Sequence, residues 1–189
     1  KVNFKWDFYN ADGSSAEMCG NGGRCVARYA YEKNIASEKM AFETTAGIIK
    51  AEVKGNYVRI KLTNPENFKK NIDIDLNGKT YQVDSLNTGV PHAIIYTSDI
   101  IDEDVLGIGK SVRSHAIFSP AGTNVDFVQK QGPNELRIRT YERGIEDETL
   151  ACGTGVVASA LLASRAGMIQ PPVSVQTQGG EVLKVDFKV

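Results

Sequence analysis

Cysteine, histidine and tryptophan are scarce in this chain: three Cys, two His and one Trp in 189 residues. Three cysteines far apart in sequence cannot build the disulfide framework of a small secreted domain. A reduced, cytoplasmic protein is therefore the expectation. Two histidines, and a Cys19–Cys25 separation that does not suit a ligand pair, leave no donor set for zinc. No Cys-x-x-Cys occurs, and Cys19 and Cys152 lie in opposite halves of the chain. That argues against dithiol redox chemistry. No apolar run approaches the roughly 20 residues that span a bilayer, which excludes a helical membrane anchor within this sequence. Acidic and basic residues nearly balance, 23 against 22, and are well mixed, so no basic stripe marks a nucleic-acid partner. The opening Lys1-Val2-Asn3-Phe4-Lys5-Trp6 alternates polar and apolar residues and does not read as a signal peptide. No low-complexity segment or long linker interrupts the chain.

What the chain does have is one motif twice. Cys19 lies in Met18-Cys19-Gly20-Asn21-Gly22 and Cys152 in Ala151-Cys152-Gly153-Thr154-Gly155. Each Cys-Gly-x-Gly precedes a helix-like run, Arg24 to Lys33 and Val156 to Arg165. Each run is followed by a strand and a small turn, Thr44-Thr45-Ala46-Gly47 and Thr177-Gln178-Gly179-Gly180. Gly47 follows Cys19 at the same interval at which Gly180 follows Cys152. A matched spacing around a matched motif indicates a duplicated unit.

Along the chain, Val2, Phe4, Trp6 and Phe8 alternate as a half-buried strand, and Asn10-Ala11-Asp12-Gly13 breaks it. A helix is expected over 22–34, with an apolar face at Val26, Tyr29 and Ala30 and a stop at Asn34. Strands are expected over 40–45, 48–54 and 57–63, and Asn64-Pro65 ends the run. The second unit opens with strands over 72–76 and 79–86 joined at Asn77-Gly78, a strong hairpin signal. Thr88-Gly89-Val90-Pro91-His92 is then a loop before a strand over 93–97, and a short helix fits 102–112. Strands over 124–129 and 136–141, a polar loop over 142–151 and a helix over 153–166 follow. Gly167 ends that helix, and strands over 173–176 and 182–187 close the chain. The expectation is a mixed α/β (α+β) fold of two homologous units, residues 1–70 and 71–189. Each is a strand-rich mixed sheet with one main helix after its cysteine.

A cysteine at a helix N-terminus sits in the positive end of the helix field, which favours thiolate. The glycines let a ligand approach the backbone, and the first-turn N–H groups can hold a carboxylate. Two such sites facing one another suit stereoinversion: one thiolate removes an α-proton and the opposite thiol returns one to the other face. Such a site must stabilise a carbanion with aligned dipoles in a water-poor cavity, and the sulfurs titrate as a coupled pair. Cys25 lies inside the first helix with no counterpart and reads as a small core residue. His115 has no motif around it and reads as a surface or packing residue.

The stretch from Asn10 to Cys25, with Asp12-Gly13, Glu17-Met18-Cys19-Gly20-Asn21-Gly22-Gly23-Arg24, resembles the first signature of the diaminopimelate epimerase family. Tyr141-Glu142-Arg143-Gly144 followed by Glu148-Thr149-Leu150-Ala151-Cys152-Gly153-Thr154-Gly155 resembles the second. The resemblance covers essentially the whole chain. It implies a duplicated α/β fold, no pyridoxal phosphate or other cofactor, no metal, and interconversion of L,L- and meso-diaminopimelate on the route to lysine and peptidoglycan. It implies Cys19 and Cys152 as base and acid, with backbone groups of Gly20, Asn21, Gly153 and Thr154 holding the reacting carboxylate. Asn10, Asn124, Glu142 and Arg143 would read the distal amino-acid end, where a zwitterion needs a carboxylate and a guanidinium. His92 would line the site or serve the fold. The sole expected partner is the small-molecule substrate, and a homodimer is the assembly carried forward.

Two departures stand out. Val90 occupies a position where the family usually has Asn before Pro-His. Relative to the family, the first unit is expected to lack its opening strands, with an Asn and a Gln near the reacting centre, and the second to lack a closing strand. Proline racemase or hydroxyproline epimerase is the nearest rival, but those families usually carry His where this chain has Asn21 and do not need Glu142-Arg143. Phenazine-type isomerases share the fold without the cysteine pair. Non-catalytic binding, the rival from another class, gives no reason for two thiols in matched settings.

Overall fold

The structure, a computed structural model, describes residues 1–10 and 12–188. Ala11, within the turn expected at 10–13, and the terminal Val189 lie outside the described residues. The chain forms two compact units, Lys1–Asn64 and Pro65–Val189.

The first unit begins with two short strands, β1 (Phe4–Lys5) and β2 (Phe8–Tyr9), where sequence alternation suggests one. β2 turns back onto β3 (Ser15–Ala16) as a separate antiparallel ribbon. Helix α1 (Gly20–Glu32) follows, then β4 (Lys39–Thr44), β5 (Gly47–Lys54) and β6 (Tyr57–Lys61). The sheet order is β1-β4-β5-β6, with β1 parallel to β4 and the rest antiparallel. α1 buries Gly20, Gly23, Ala27 and Ala30, small residues on one stripe of the helix. Beneath them lie Phe42, Ile49, Ala51 and Val53, all nearly inaccessible. The expected face is thus corrected: Val26 is partly buried and Ala30 buried, but Tyr29 is exposed. Cys25 is exposed rather than core, because two residues from Gly23 or Ala27 is about 200° around a helix. Asn34 ends the helix as expected, with φ of 56° and Ile35 N–H returning to the Ala30 carbonyl.

The second unit is built on strands β7 (Glu66–Leu76), β8 (Lys79–Asn87), β9 (Pro91–Tyr96), β10 (Asn124–Gly132), β11 (Glu135–Glu142), β12 (Asp147–Thr149), β13 (Val173–Gln176) and β14 (Val182–Val185). Helices α2 (Val105–Arg113) and α3 (Gly153–Arg165) complete it, with one 3-10 turn at Ala116–Phe118. The sheet order is β14-β13-β11-β10-β9-β8-β7, with β12 added to β11. β9–β10 and β11–β13 are parallel. β7 starts at Glu66, well before the strand expected from Ile72. Its register breaks around Asn67 and Asn71, both at positive φ, so bulges rather than a linker occupy the stretch. The compact unit accordingly begins at Pro65, where 71 is expected from sequence. β12 pairs with the end of β11, inside what reads in sequence as a polar loop.

The duplication is visible in the connectivity. In each unit a strand leads to a cysteine, a helix of 13 residues, a strand parallel to the first and an antiparallel return. Phe42 and Val175 stand at the same step after their cysteines, and both are fully buried. Strand alternation then divides the second sheet. Ala93, Ile95, Val125, Phe127 and Tyr141 face α2, while Ile94, Val128, Leu136 and Ile138 face α3. On that second face the apolar columns end in polar residues: His92 on β9, Asn124 and Asp126 on β10, Thr140 and Glu142 on β11.

Candidate active site

Both cysteines stand at the N-cap positions of their helices, and of the two only the Cys19 side chain makes a capping hydrogen bond. Cys19 has φ −129° and ψ 117°, and Cys152 φ −116° and ψ 106°, extended conformations that place the following N–H groups in an open first turn. Cys19 Sγ accepts the Gly22 N–H at 3.3 Å. A Cβ added at Gly22 would press on the Trp6 ring at 3.0 Å, which would have to give slightly. Gly20 is buried, and the Asn21 side chain accepts from the Arg24 guanidinium at 2.5 Å. Asn10 sits in the β2–β3 connection, where its amide donates to the Ser14 hydroxyl at 3.0 Å. Cys19 is half-buried.

Cys152 is buried, and its environment is polar. Its sulfur lies 3.4 Å from the Thr154 hydroxyl. Thr154 Oγ1 lies 3.0 Å from His92 Nε2, and His92 Nδ1 lies 2.7 Å from Asp126 Oδ2. The other Asp126 oxygen accepts the Thr140 hydroxyl at 2.7 Å. Thr88 donates its hydroxyl to the Thr154 carbonyl at 3.1 Å. His92 and Asp126 are fully enclosed. Gly155 is required here, since a Cβ would collide with Asp126 Oδ1. Burial, then the Glu142 and Asp126 carboxylates, push the Cys152 thiol well above its ordinary range, against the Thr154 hydroxyl and the Gly155 N–H, which pull it down. This reverses the direction expected for a thiol in a helix field alone: desolvation disfavours the anion more than the first turn favours it.

The distal-end candidates of this unit meet at the end of β11. Asn124 accepts the Arg143 backbone N–H at 2.8 Å and donates its amide to the Pro91 carbonyl at 3.3 Å, so it ties the end of β11 to the start of β9. The Arg143 guanidinium donates to the Ala121 carbonyl at 3.2 Å. Burial raises the Glu142 carboxyl above the usual carboxylate range. Glu146, at φ 60°, accepts the Gly144 N–H and is bonded by Arg113 of α2, which fastens this turn to the body of the unit. Val90 is buried. His115 caps the 3-10 turn through the Ile117 N–H. The second unit therefore gathers His92, Asn124, Glu142, Arg143, Cys152, Gly153 and Thr154, and the first holds Asn10, Cys19, Gly20 and Asn21. Sequence reasoning missed Asp126, Thr88 and Thr140. The available signal was an aspartate between Val125 and Phe127 in a strand of otherwise apolar character.

A family model described as diaminopimelate epimerase matches residues 1–66 and 85–188. The chain belongs to the diaminopimelate epimerase family. It is 47% identical over 188 residues to the diaminopimelate epimerase of Aquifex aeolicus, with 97% of this chain and 67% of that protein covered. It is 48% identical over 192 residues to that of a Hydrogenobaculum species, with 100% and 69% covered. The chain thus spans about two thirds of the length of these relatives. Among solved structures, a probable proline racemase from Agrobacterium radiobacter aligns with a TM-score of 0.76 at 16% identity, covering 95% of this chain and 62% of that one. A hydroxyproline epimerase from Agrobacterium vitis aligns at 0.74, again at 16% identity, covering 96% and 62%. These likenesses show the fold of the diaminopimelate epimerase family, a family of isomerases. Among the described residues, no helix is long and apolar enough to cross a membrane.

Proposed function

We propose that this protein interconverts L,L- and meso-diaminopimelate by a two-base mechanism in which Cys19 and Cys152 act on opposite faces of one α-carbon. The observation that carries the reading is the pair of equivalent N-cap cysteines, each opening a helix with a glycine-lined first turn. One sulfur, as thiolate, takes the α-proton: the Cα–H bond breaks and an S–H bond forms. The other gives up its proton, so its S–H bond breaks and a Cα–H bond forms with inverted configuration. Loss of a proton from the first sulfur to water and gain of one by the second then restores the starting thiolate–thiol pair for a further turnover in the same sense. The first-turn N–H groups after each cysteine receive the carboxylate, and they stabilise the charge that develops on it as the proton leaves.

Glu142 and Arg143 supply an acid and a base for a second amino-acid end, which a proline-type substrate does not possess. Asn124 holds the Arg143 backbone, and Asn10 adds an amide from the first unit. A substrate on the way to lysine and peptidoglycan supports a cytoplasmic reaction. Proton NMR of L,L-diaminopimelate in D₂O under reducing conditions tests the proposal. Loss of the α-proton signal with appearance of the meso form is the expected result. No exchange with this chain, and none with a longer chain matching the length of its relatives, would overturn it.

A further inference from the structure

The mechanism above makes no use of Asp126, yet Asp126 is a fully buried acid at the end of an unbroken set of contacts that reaches a reacting sulfur. From Oδ2 the path runs 2.7 Å to His92 Nδ1, then 3.0 Å from Nε2 to Thr154 Oγ1, then 3.4 Å to Cys152 Sγ. Two groups on it are held from the side: Asp126 by the Thr140 hydroxyl, and Thr154 by Thr88 through its carbonyl. The remaining ionisable group facing the sulfur is Glu142 on β11. From β9 and β10 the facing groups are His92 and Asp126, and the first turn of α3 carries no acid.

We propose that Asp126 is a positioning residue for Cys152, acting through His92 and Thr154 so that the direction of one buried hydrogen-bond chain follows the proton on the sulfur. The inference rests on the reading of Cys152 as an acid–base thiol. With both Asp126 oxygens accepting, His92 donates from Nδ1, and only Nε2 is left to change. While Cys152 is a thiol, its S–H donates to Thr154 Oγ1 and the threonine O–H donates to the bare Nε2. When the thiolate forms, the chain reverses: the threonine O–H donates to sulfur and Nε2–H donates to the threonine oxygen.

Going from one arrangement to the other breaks the S–H bond and forms an O–H bond on Thr154. The former O–H of Thr154 breaks and an N–H bond forms on His92. The proton remains within the site, and the thiolate gains an imidazolium two contacts away, itself held by the Asp126 carboxylate. A hydroxyl is suited to the middle position because it donates and accepts at once, whichever way the chain points. The same reasoning accounts for Gly155, whose missing side chain lets the helix start lie directly on Asp126.

The Asp126 carboxylate also repels the thiolate directly; a rival account makes that repulsion its whole effect, whereas in the proposal the hydrogen-bonded chain outweighs it. The two accounts differ in sign. In a protein carrying Cys19→Ser and Cys25→Ser, Cys152 is the sole thiol, and its ionisation can be followed by ultraviolet thiolate absorbance against pH. Removing the carboxylate with Asp126→Asn leaves the imidazolium without its partner, so the midpoint moves up, by about one pH unit or more. A bystander anion predicts a move down, and a downward or absent shift overturns the proposal. If Asp126→Asn does not fold, Thr154 decides: Thr154→Val raises the midpoint and Thr154→Ser, which keeps the hydroxyl, leaves it in place. Equal behaviour of the two threonine variants overturns the proposal. The titration requires no turnover, so an inactive substrate assay leaves it readable, and a failed titration leaves the epimerase reading standing.

Discussion

Gly22 and Gly155 occupy the same step, three residues after their cysteines, and each is a glycine because something presses against the helix start. In the first unit that is the Trp6 ring; in the second it is the Asp126 carboxylate. The backbones of the two N-caps nearly coincide, φ −129° and ψ 117° at Cys19 against φ −116° and ψ 106° at Cys152. Duplication therefore preserved the scaffold that presents a sulfur while the layer beneath it diverged, apolar under Cys19 and ionisable under Cys152. Among the described residues, the buried Asp126–His92–Thr154 chain lies in the second unit. Chemistry that is symmetric at the α-carbon need not be served by symmetric supports, and the buried thiol has the hydrogen-bonded backing.

Removing either sulfur should give the largest effect. Cys19→Ser and Cys152→Ser are each expected to lower turnover by about 10²- to 10⁴-fold or more with unchanged circular dichroism. Near-normal turnover in one of them would mean that the two units do not share the work. The glycines provide the next contrast. Gly155→Ala drives a methyl group into a carboxylate locked by His92 and Thr140, and should cost about 3 kcal/mol in urea unfolding. Gly22→Ala meets a ring that can tilt and should cost about 1 kcal/mol; equal losses would show that the layer beneath is immaterial. Arg143→Lys keeps the charge but loses the planar fork, and should raise KM for diaminopimelate about tenfold while kcat falls less.

A pH-dependent effect comes from Glu142. Burial raises its carboxyl in the folded state, so between the ordinary carboxylate range and that raised value the folded protein binds more protons than the unfolded chain. Stability then falls as pH rises through this window. Glu142→Gln should raise Tm at pH 7, leave it little changed at pH 4, and weaken substrate binding. The smallest effect is expected at Cys25, which is exposed. Cys25→Ser should alter stability by less than about 0.5 kcal/mol and leave kcat/KM unchanged.

Much of the architecture is legible because it is written in local signals. Cys-Gly-x-Gly opens both helices, Asn34 closes one in the left-handed region, and Asn77-Gly78 turns the β7–β8 hairpin with both residues at positive φ. What escapes depends on contacts between distant residues. β1 and β2 share one alternating pattern, but only β1 finds a partner in β4, so the pattern does not make one strand. Asn67 and Asn71 look like linker residues until their left-handed conformations are seen as bulges in a continuous strand. The stripe of small residues on α1 is hidden from any reading that seeks large apolar side chains, which is why Cys25 reads as core in the sequence. The two thiols and the Glu142-Arg143 pair lie within long motifs. Asp126 lies in none, and its meaning depends on His92, one strand earlier on β9, and on Thr154, beyond β11 and β12 in the first turn of α3.

The three cysteine sulfurs also form a ladder of access: Cys25 exposed, Cys19 half-buried and Cys152 buried. Oxidants and alkylating reagents sample exposure as well as nucleophilicity, so the thiol that plays no part in the proposed reaction stands first in their path. A preparation can lose one titratable thiol with its turnover intact. Labels placed at Cys25 report on α1 while leaving both helix starts untouched.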